Sequence, residues 1–129
     1  MTEGPLVDRP DMIEGARLFH ASRFWDAHEA WERVWIVEKD VDRRRFVQGL
    51  IQLAAALHKL LVMKNPVSAL ALARRAREKL APFPTPYEGY AADALRAQMD
   101  ACEASIAEVV ASEMDLSRFN HATIPRIGE

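Results

Sequence analysis

The sequence predicts an all-α fold, a compact single-domain bundle of about five helices with an irregular C-terminal tail. Three observations carry this. Apolar residues recur at helical spacing through most of the chain. The breaks between those runs hold Asp, Asn and Pro, residues that start and stop helices. No segment alternates apolar and polar residues as a half-buried strand does, and no internal repeat is visible.

A first helix is expected from about Asp11 to His20, after Pro10, with Met12, Ala16 and Phe19 facing inward. Ser22 is the expected N-cap of a second helix that runs to about Lys39, and Asp26 suits its first turn. Asp40 and Asp42 mark the next break, with Asp42 as the expected cap. The third helix, about Arg43 to Lys64, is the longest apolar element. Phe46, Leu50, Leu53, Leu57 and Leu61 form its stripe. Val47, Ile51, Ala54 and Leu60 widen that stripe toward half the circumference, which predicts a central helix. Asn65-Pro66 reads as a cap followed by proline at the first helical position. The fourth helix then runs to about Leu80 and turns Ala69, Leu72, Ala73, Ala76 and Leu80 inward; its small residues predict close helix contact.

Pro82, Pro84 and Pro86 forbid helix, and Phe83 and Tyr87 are expected to pin that loop to the core. A fifth helix, about Tyr90 to Ser112, carries Leu95, Met99, Cys102, Ile106 and Val109 on one face. Pro125 excludes a regular helix in the tail from Asp115 onward, whose Leu116, Phe119, Ile124 and Ile127 are expected to dock it. The core prediction centres on Trp31, Trp35, Leu50, Leu53, Leu57 and Leu61.

With 129 residues, half of them hydrophobic, the expected single domain, 1–129, is large enough for a core and too apolar for disorder. The net charge of −2 gives no footprint for nucleic acid. One cysteine excludes an intrachain disulfide and suits a reducing compartment. Met1 to Asp11 lacks the apolar run of a signal peptide. The apolar stretch from Phe46 to Met63 is interrupted by Gln48, Gln52, His58 and Lys59, too polar for a membrane span. A soluble cytoplasmic protein is the expectation.

The segment Phe24 to Trp35 is the most informative one. It holds all three tryptophans, His28, Glu29 and Glu32. At about 100° per residue, Phe24, His28, Trp31 and Trp35 share a helix face, with Glu32 one turn after His28. An imidazole in an aromatic stripe destabilises the fold unless its nitrogens find partners. The string His-Glu-Ala-Trp-Glu resembles the zinc-protease motif His-Glu-x-x-His with Glu32 where the second His stands. A zinc site usually needs three protein ligands, and His58 would be the third. The alternative is a packed histidine satisfied by Glu32 or a glutamine. Gln48 and Gln52 form a second i,i+4 pair, in line with Ala55 and Lys59. Either they meet Glu29 or Glu32 across an antiparallel helix pair, or they face solvent. A satisfied core histidine is the expected role of His58. Arg43, Arg44 and Arg45 point in three directions, and with Arg74, Arg75 and Arg77 they read as a solvated, ion-paired surface. Cys102 falls on an apolar stripe and reads as core. No nucleophile context or phosphate loop is visible.

Two segments together resemble one known family. Phe24-Trp25-Asp26-Ala27-His28-Glu29-Ala30-Trp31-Glu32, followed by Trp35, looks like its first signature. Arg45-Phe46-Val47-Gln48-Gly49-Leu50-Ile51-Gln52-Leu53-Ala54-Ala55-Ala56-Leu57-His58 looks like its second. This is domain of unknown function family 309, small all-helical prokaryotic proteins. The resemblance runs from about Phe19 to Leu80. It implies a compact helical domain with no established reaction, and its recurrent polar positions match His28, Glu29, Glu32, Gln48, Gln52 and His58. The turn before the first signature often has a glycine and here reads Ala21-Ser22-Arg23. The turn after the second often has Gly-Ala and here reads Ser68-Ala69.

The favoured expectation is a non-catalytic module that binds a small ligand or a protein. Its pocket would be lined by Trp25, Trp31 and Trp35, with the polar set His28, Glu29, Glu32, Gln48, Gln52 and His58 inside. One alternative is a metal-dependent hydrolase with His28, Glu32 and His58 as ligands and Glu29 as general base. The other is a purely structural polar network. No cofactor or catalytic residue is assigned, no nucleic-acid or membrane partner is expected, and a homo-oligomer stays open.

Overall fold

The computed structural model describes residues 4–128. Among them, five α-helices follow one another: α1 (Pro10–His20), α2 (Phe24–Val37), α3 (Val41–Leu61), α4 (Pro66–Leu80) and α5 (Ala92–Ala111). Short 3-10 turns precede α1 and follow α5. No strand forms among these residues; Tyr87 and Tyr90 make an isolated bridge across a tight turn. Each helix packs on the next, and α3 lies between α2 and α4. The all-α expectation is met.

The helix ends correct the sequence reading in two places. Ser22 does not cap α2. It has φ of 63° and closes α1 instead: its N–H donates to Phe19 O at 3.0 Å, and the Arg23 N–H donates to Leu18 O at 2.9 Å. These are the two bonds of a Schellman closure, whose left-handed position favours glycine. Arg23 stands at the start of α2 without a side-chain cap. Ser22→Gly is therefore expected to stabilise the fold by up to about 1 kcal/mol, read from the urea midpoint. A lower midpoint would contradict this account of the turn.

The second correction is at α3, which Asp40 caps, not Asp42. Its carboxylate accepts the Arg43 N–H at 2.9 Å, and Asp42 lies inside the first turn. Asp40 has the extended backbone that lets a cap reach forward three residues. Helix α3 also ends earlier than expected, because Lys64 turns left-handed (φ 55°) just before Asn65. Asn65 then caps α4 by accepting the Ser68 N–H at 3.2 Å, with Pro66 at the first helical position, as predicted.

The loop from Pro82 to Pro86 is non-helical, as its prolines require. Phe83 and Tyr87 do pin it: with Tyr90 they surround Phe46 at ring-centre distances of 5.0 to 5.3 Å. Burial pushes the Tyr87 hydroxyl up to about 12. Trp31, Leu50, Leu53 and Leu57 are fully buried, whereas Trp35 and Leu61 are only partly so, at the edge of the core. Ala16 and Leu72 also lie at that edge. Ala69, Ala73 and Ala76 are buried, and a Cβ on Gly49 would stand 3.4 Å from Ala76 O, so α3 and α4 approach closely. Cys102 is buried in α5, where desolvation pushes its thiol up to about 12, a structural and unreactive setting.

Candidate functional site: the α2–α3 face

Antiparallel packing of α2 and α3 brings the start of α2 beside the end of α3. Trp25 is 49% exposed and stacks flat on His28, with ring centres 4.5 Å apart and planes 8° apart. The His58 ring lies 5.2 Å from the same indole. The two imidazoles and one half-open indole thus form a corner of the surface. His58 is half-buried against Trp25, not enclosed in the core as expected.

Glu32 comes to 3.4 Å of His28 Nδ1, ion-pair distance, but without hydrogen-bond geometry. Nδ1 is buried and has no hydrogen-bond partner, and neither does Gln52 Oε1 on α3. Glu32 thus comes within the expected reach of His28 without completing a hydrogen bond, and Gln52 Oε1 has no partner within the chain. A buried polar atom left without a partner costs about 1–3 kcal/mol. Gln48 and Gln52 are neither fully inside nor fully out: with Ala55 and Lys59 they form a half-buried outer stripe of α3. Glu29 is exposed on the outer side of α2.

The three tryptophans go to three places. Trp31 faces α1, where its Nε1–H donates to Met12 O at 3.2 Å. Trp35 lies under Arg44, whose guanidinium sits 4.1 Å from the ring centre. Only Trp25 joins the histidines, so a pocket lined by all three does not exist. Surface clefts of about 260 to 370 Å³ open elsewhere, one of them between Pro10, Arg33, Val34 and Val37. His28, Glu32 and His58 do not converge as a ligand set: among the described residues no three His, Cys, Asp or Glu side chains gather closely enough to hold a metal ion.

The three consecutive arginines have separate roles. Arg43 pairs with Glu88 at 3.1 Å, Arg44 covers Trp35, and Arg45 donates to the Glu78 and Lys79 carbonyls at the end of α4. Arg77 pairs with Glu103 at 2.8 Å. Of the six arginines read as an ion-paired surface, Arg43 and Arg77 make ion pairs, whereas Arg44 and Arg45 turn to a ring and to backbone carbonyls.

Sequence reasoning missed Glu38. This buried carboxylate, just after α2, meets Arg9 at 2.7 Å and accepts the Asp40 N–H at 3.0 Å. Burial pushes its carboxyl up, but the Asp40 N–H and the Arg9 and Arg43 charges outweigh that and hold it below its ordinary value. A lowered value in the folded state means the native chain binds fewer protons. The pair therefore stabilises the fold above the carboxylate range, and that contribution is lost as the pH falls through the folded value. Glu38→Gln is expected to cost about 1–3 kcal/mol at about pH 7 and clearly less at about pH 3, where the native carboxylate has begun to take up its proton. Urea melts at the two pH values check this; an equal deficit at both would refute it.

Fold and site together define a small helical domain with a polar face between two consecutive antiparallel helices. Residues 12–72 match the family described as domain of unknown function (DUF309), the family that the two signatures resemble. The match takes in α2, α3 and the whole polar set. No curated protein and no solved structure matches the chain. Among the described residues no helix is long and apolar enough to cross a membrane.

Proposed function

We propose that this domain is a non-catalytic binding module whose contact face is the outer side of α2 and α3. Trp25, His28 and His58 form its aromatic corner, and Glu29, Glu32, Gln48 and Gln52 form its polar floor. Trp35 and Arg44 close its far end. One observation carries the reading. Two buried polar atoms on this face, His28 Nδ1 and Gln52 Oε1, lack partners within the chain, beside an indole half open to solvent. Proteins rarely leave such atoms unsatisfied without a use for them, and a half-exposed tryptophan is a typical contact anchor.

None of the four clefts described above is lined by Trp25, His58 or Gln52, which suits a flat partner or a small group lying across Trp25 better than an enclosed substrate. A screen of polar aromatic fragments against the labelled full chain tests this by amide and indole chemical shifts. Shifts confined to Trp25 Nε1 and the Gln48 and Gln52 side-chain amides are expected. Shifts that cluster in the clefts around Val37 or His121 instead would overturn the assignment.

A further inference from the structure

We propose that the partner of this face is a second copy of the same chain, joined through a two-fold axis that runs along α3. This rests on the reading of the α2–α3 face as a contact surface and extends it onto α4.

The argument starts from register. Trp25 beside His58 and Trp35 beside Arg44 fix α2 on one flank of α3. Gly49 against Ala76 and Leu80 fixes α4 on the other. Those contacts set Glu29, Gln52 and Arg75 level with one another on three successive helices. The α2 edge is acidic, with Glu29 and Glu32, and the α4 edge is basic, with Arg75 and Lys79. Glu29 and Arg75 are exposed and make no ion pair among the described residues. By contrast, Arg77 on the inner side of α4 is paired with Glu103. Glu29 and Arg75 thus carry charge that no ion pair among the described residues neutralises, whereas Glu32 on the same edge already lies 3.4 Å from His28 Nδ1.

A two-fold interface must be complementary to itself. A rotation about an axis along α3 exchanges the flanks, so the acidic edge of one copy meets the basic edge of the other. It also sets the exposed Trp25 over the start of the partner's α4, near the partner's Leu72. A rotation about an axis across α3 would instead set Glu29 against the partner's Glu29, which like-charge repulsion disfavours. Ala55 in the middle of the stripe leaves room for the two α3 helices to approach, and the like-charge meeting that this axis makes on α3, Lys59 with the partner's Lys59, falls at the end of the helix on long side chains that can swing apart.

Sedimentation equilibrium of the full chain, from micromolar to near-millimolar concentration, tests the proposal. A concentration-dependent rise from the 14.6 kDa monomer toward twice that mass is expected. Glu29→Lys and Arg75→Glu should each weaken the dimer about tenfold or more, because each creates two like-charge contacts. Mixing the two variants should restore dimers, since both contacts are then of opposite sign. Both sites are exposed, and circular dichroism confirms that the variants keep their helices. A chain that stays monomeric throughout overturns the proposal, and so does a dimer that neither reversal weakens. The fragment map on Trp25 and Gln52, repeated on the Glu29→Lys chain at a concentration where it is monomeric, is free of competition from a second copy and so judges the contact-face reading separately.

Discussion

Trp31→Ala is expected to lower the unfolding free energy by about 3–5 kcal/mol, among the larger single losses this fold can show. Trp31 is fully buried, although two tryptophans near it in sequence are not. Its ring stands 5.7 Å from Phe19, and its Nε1–H is held by the Met12 carbonyl. Truncation removes the largest side chain between α1 and α2 and the hydrogen bond that it donates to that carbonyl. The contact explains Gly15 as well. A Cβ there would run into the Trp31 indole at Nε1, and the indole is rigid and backed by Phe19. Alanine is favoured over glycine in a helix by about 1 kcal/mol, yet overpacking of this kind costs about 1–3 kcal/mol. Gly15→Ala should therefore destabilise against its helix propensity. Trp25→Ala, at a half-exposed site, should cost about 1 kcal/mol or less. Guanidinium melts of the three variants read the order directly, and a stabilising Gly15→Ala would refute the packing account.

The same tryptophans show what was legible in the sequence. Helical spacing puts Phe24, His28, Trp31 and Trp35 on one face, and the helix exists as read. The spacing cannot say that this face is divided between two neighbours. Phe24 and Trp31 turn to Phe19 on α1, while Trp35 meets Arg44 at the start of α3. Trp25 falls off the face altogether, which is why it became the open member. The caps failed for a related reason. Serine is a good N-cap in isolation, but a connection this short needs a left-handed residue to reverse the chain, and Ser22 supplies it. Asn65-Pro66 carried no such conflict and was read correctly. The Arg9–Glu38 pair joins residues far apart in sequence through tertiary structure alone, so no local pattern announces it. For the site, the polar set was legible from spacing and from the family signatures. Its lack of closure, with His28 Nδ1 and Gln52 Oε1 both unpartnered, depends on side-chain reach across the helix pair.

Leu57→Ala is expected to cost about 2–5 kcal/mol, in the upper part of that range. Leu57 is 0% exposed, on the inner side of the central helix, with Leu53 and Leu60 buried on the same helix. Three carbons are lost, worth about 2.4 kcal/mol in transfer free energy at about 0.8 kcal/mol per methylene. The rest depends on how far the site can collapse. Neighbours on α2 and α4 hold α3 from two sides, and the close Gly49–Ala76 approach leaves α4 little room to move inward. A cavity should therefore persist and add its own term, about 24 cal/mol per Å³. Leu61, one turn on, is the control: it is only partly buried, so its truncation should cost clearly less. Urea unfolding monitored by helical signal gives both values, with an unchanged slope showing that the unfolded state is not altered. A Leu57→Ala loss below about 1 kcal/mol, or one no larger than that of Leu61→Ala, would mean that α3 is not the rigid centre of the fold.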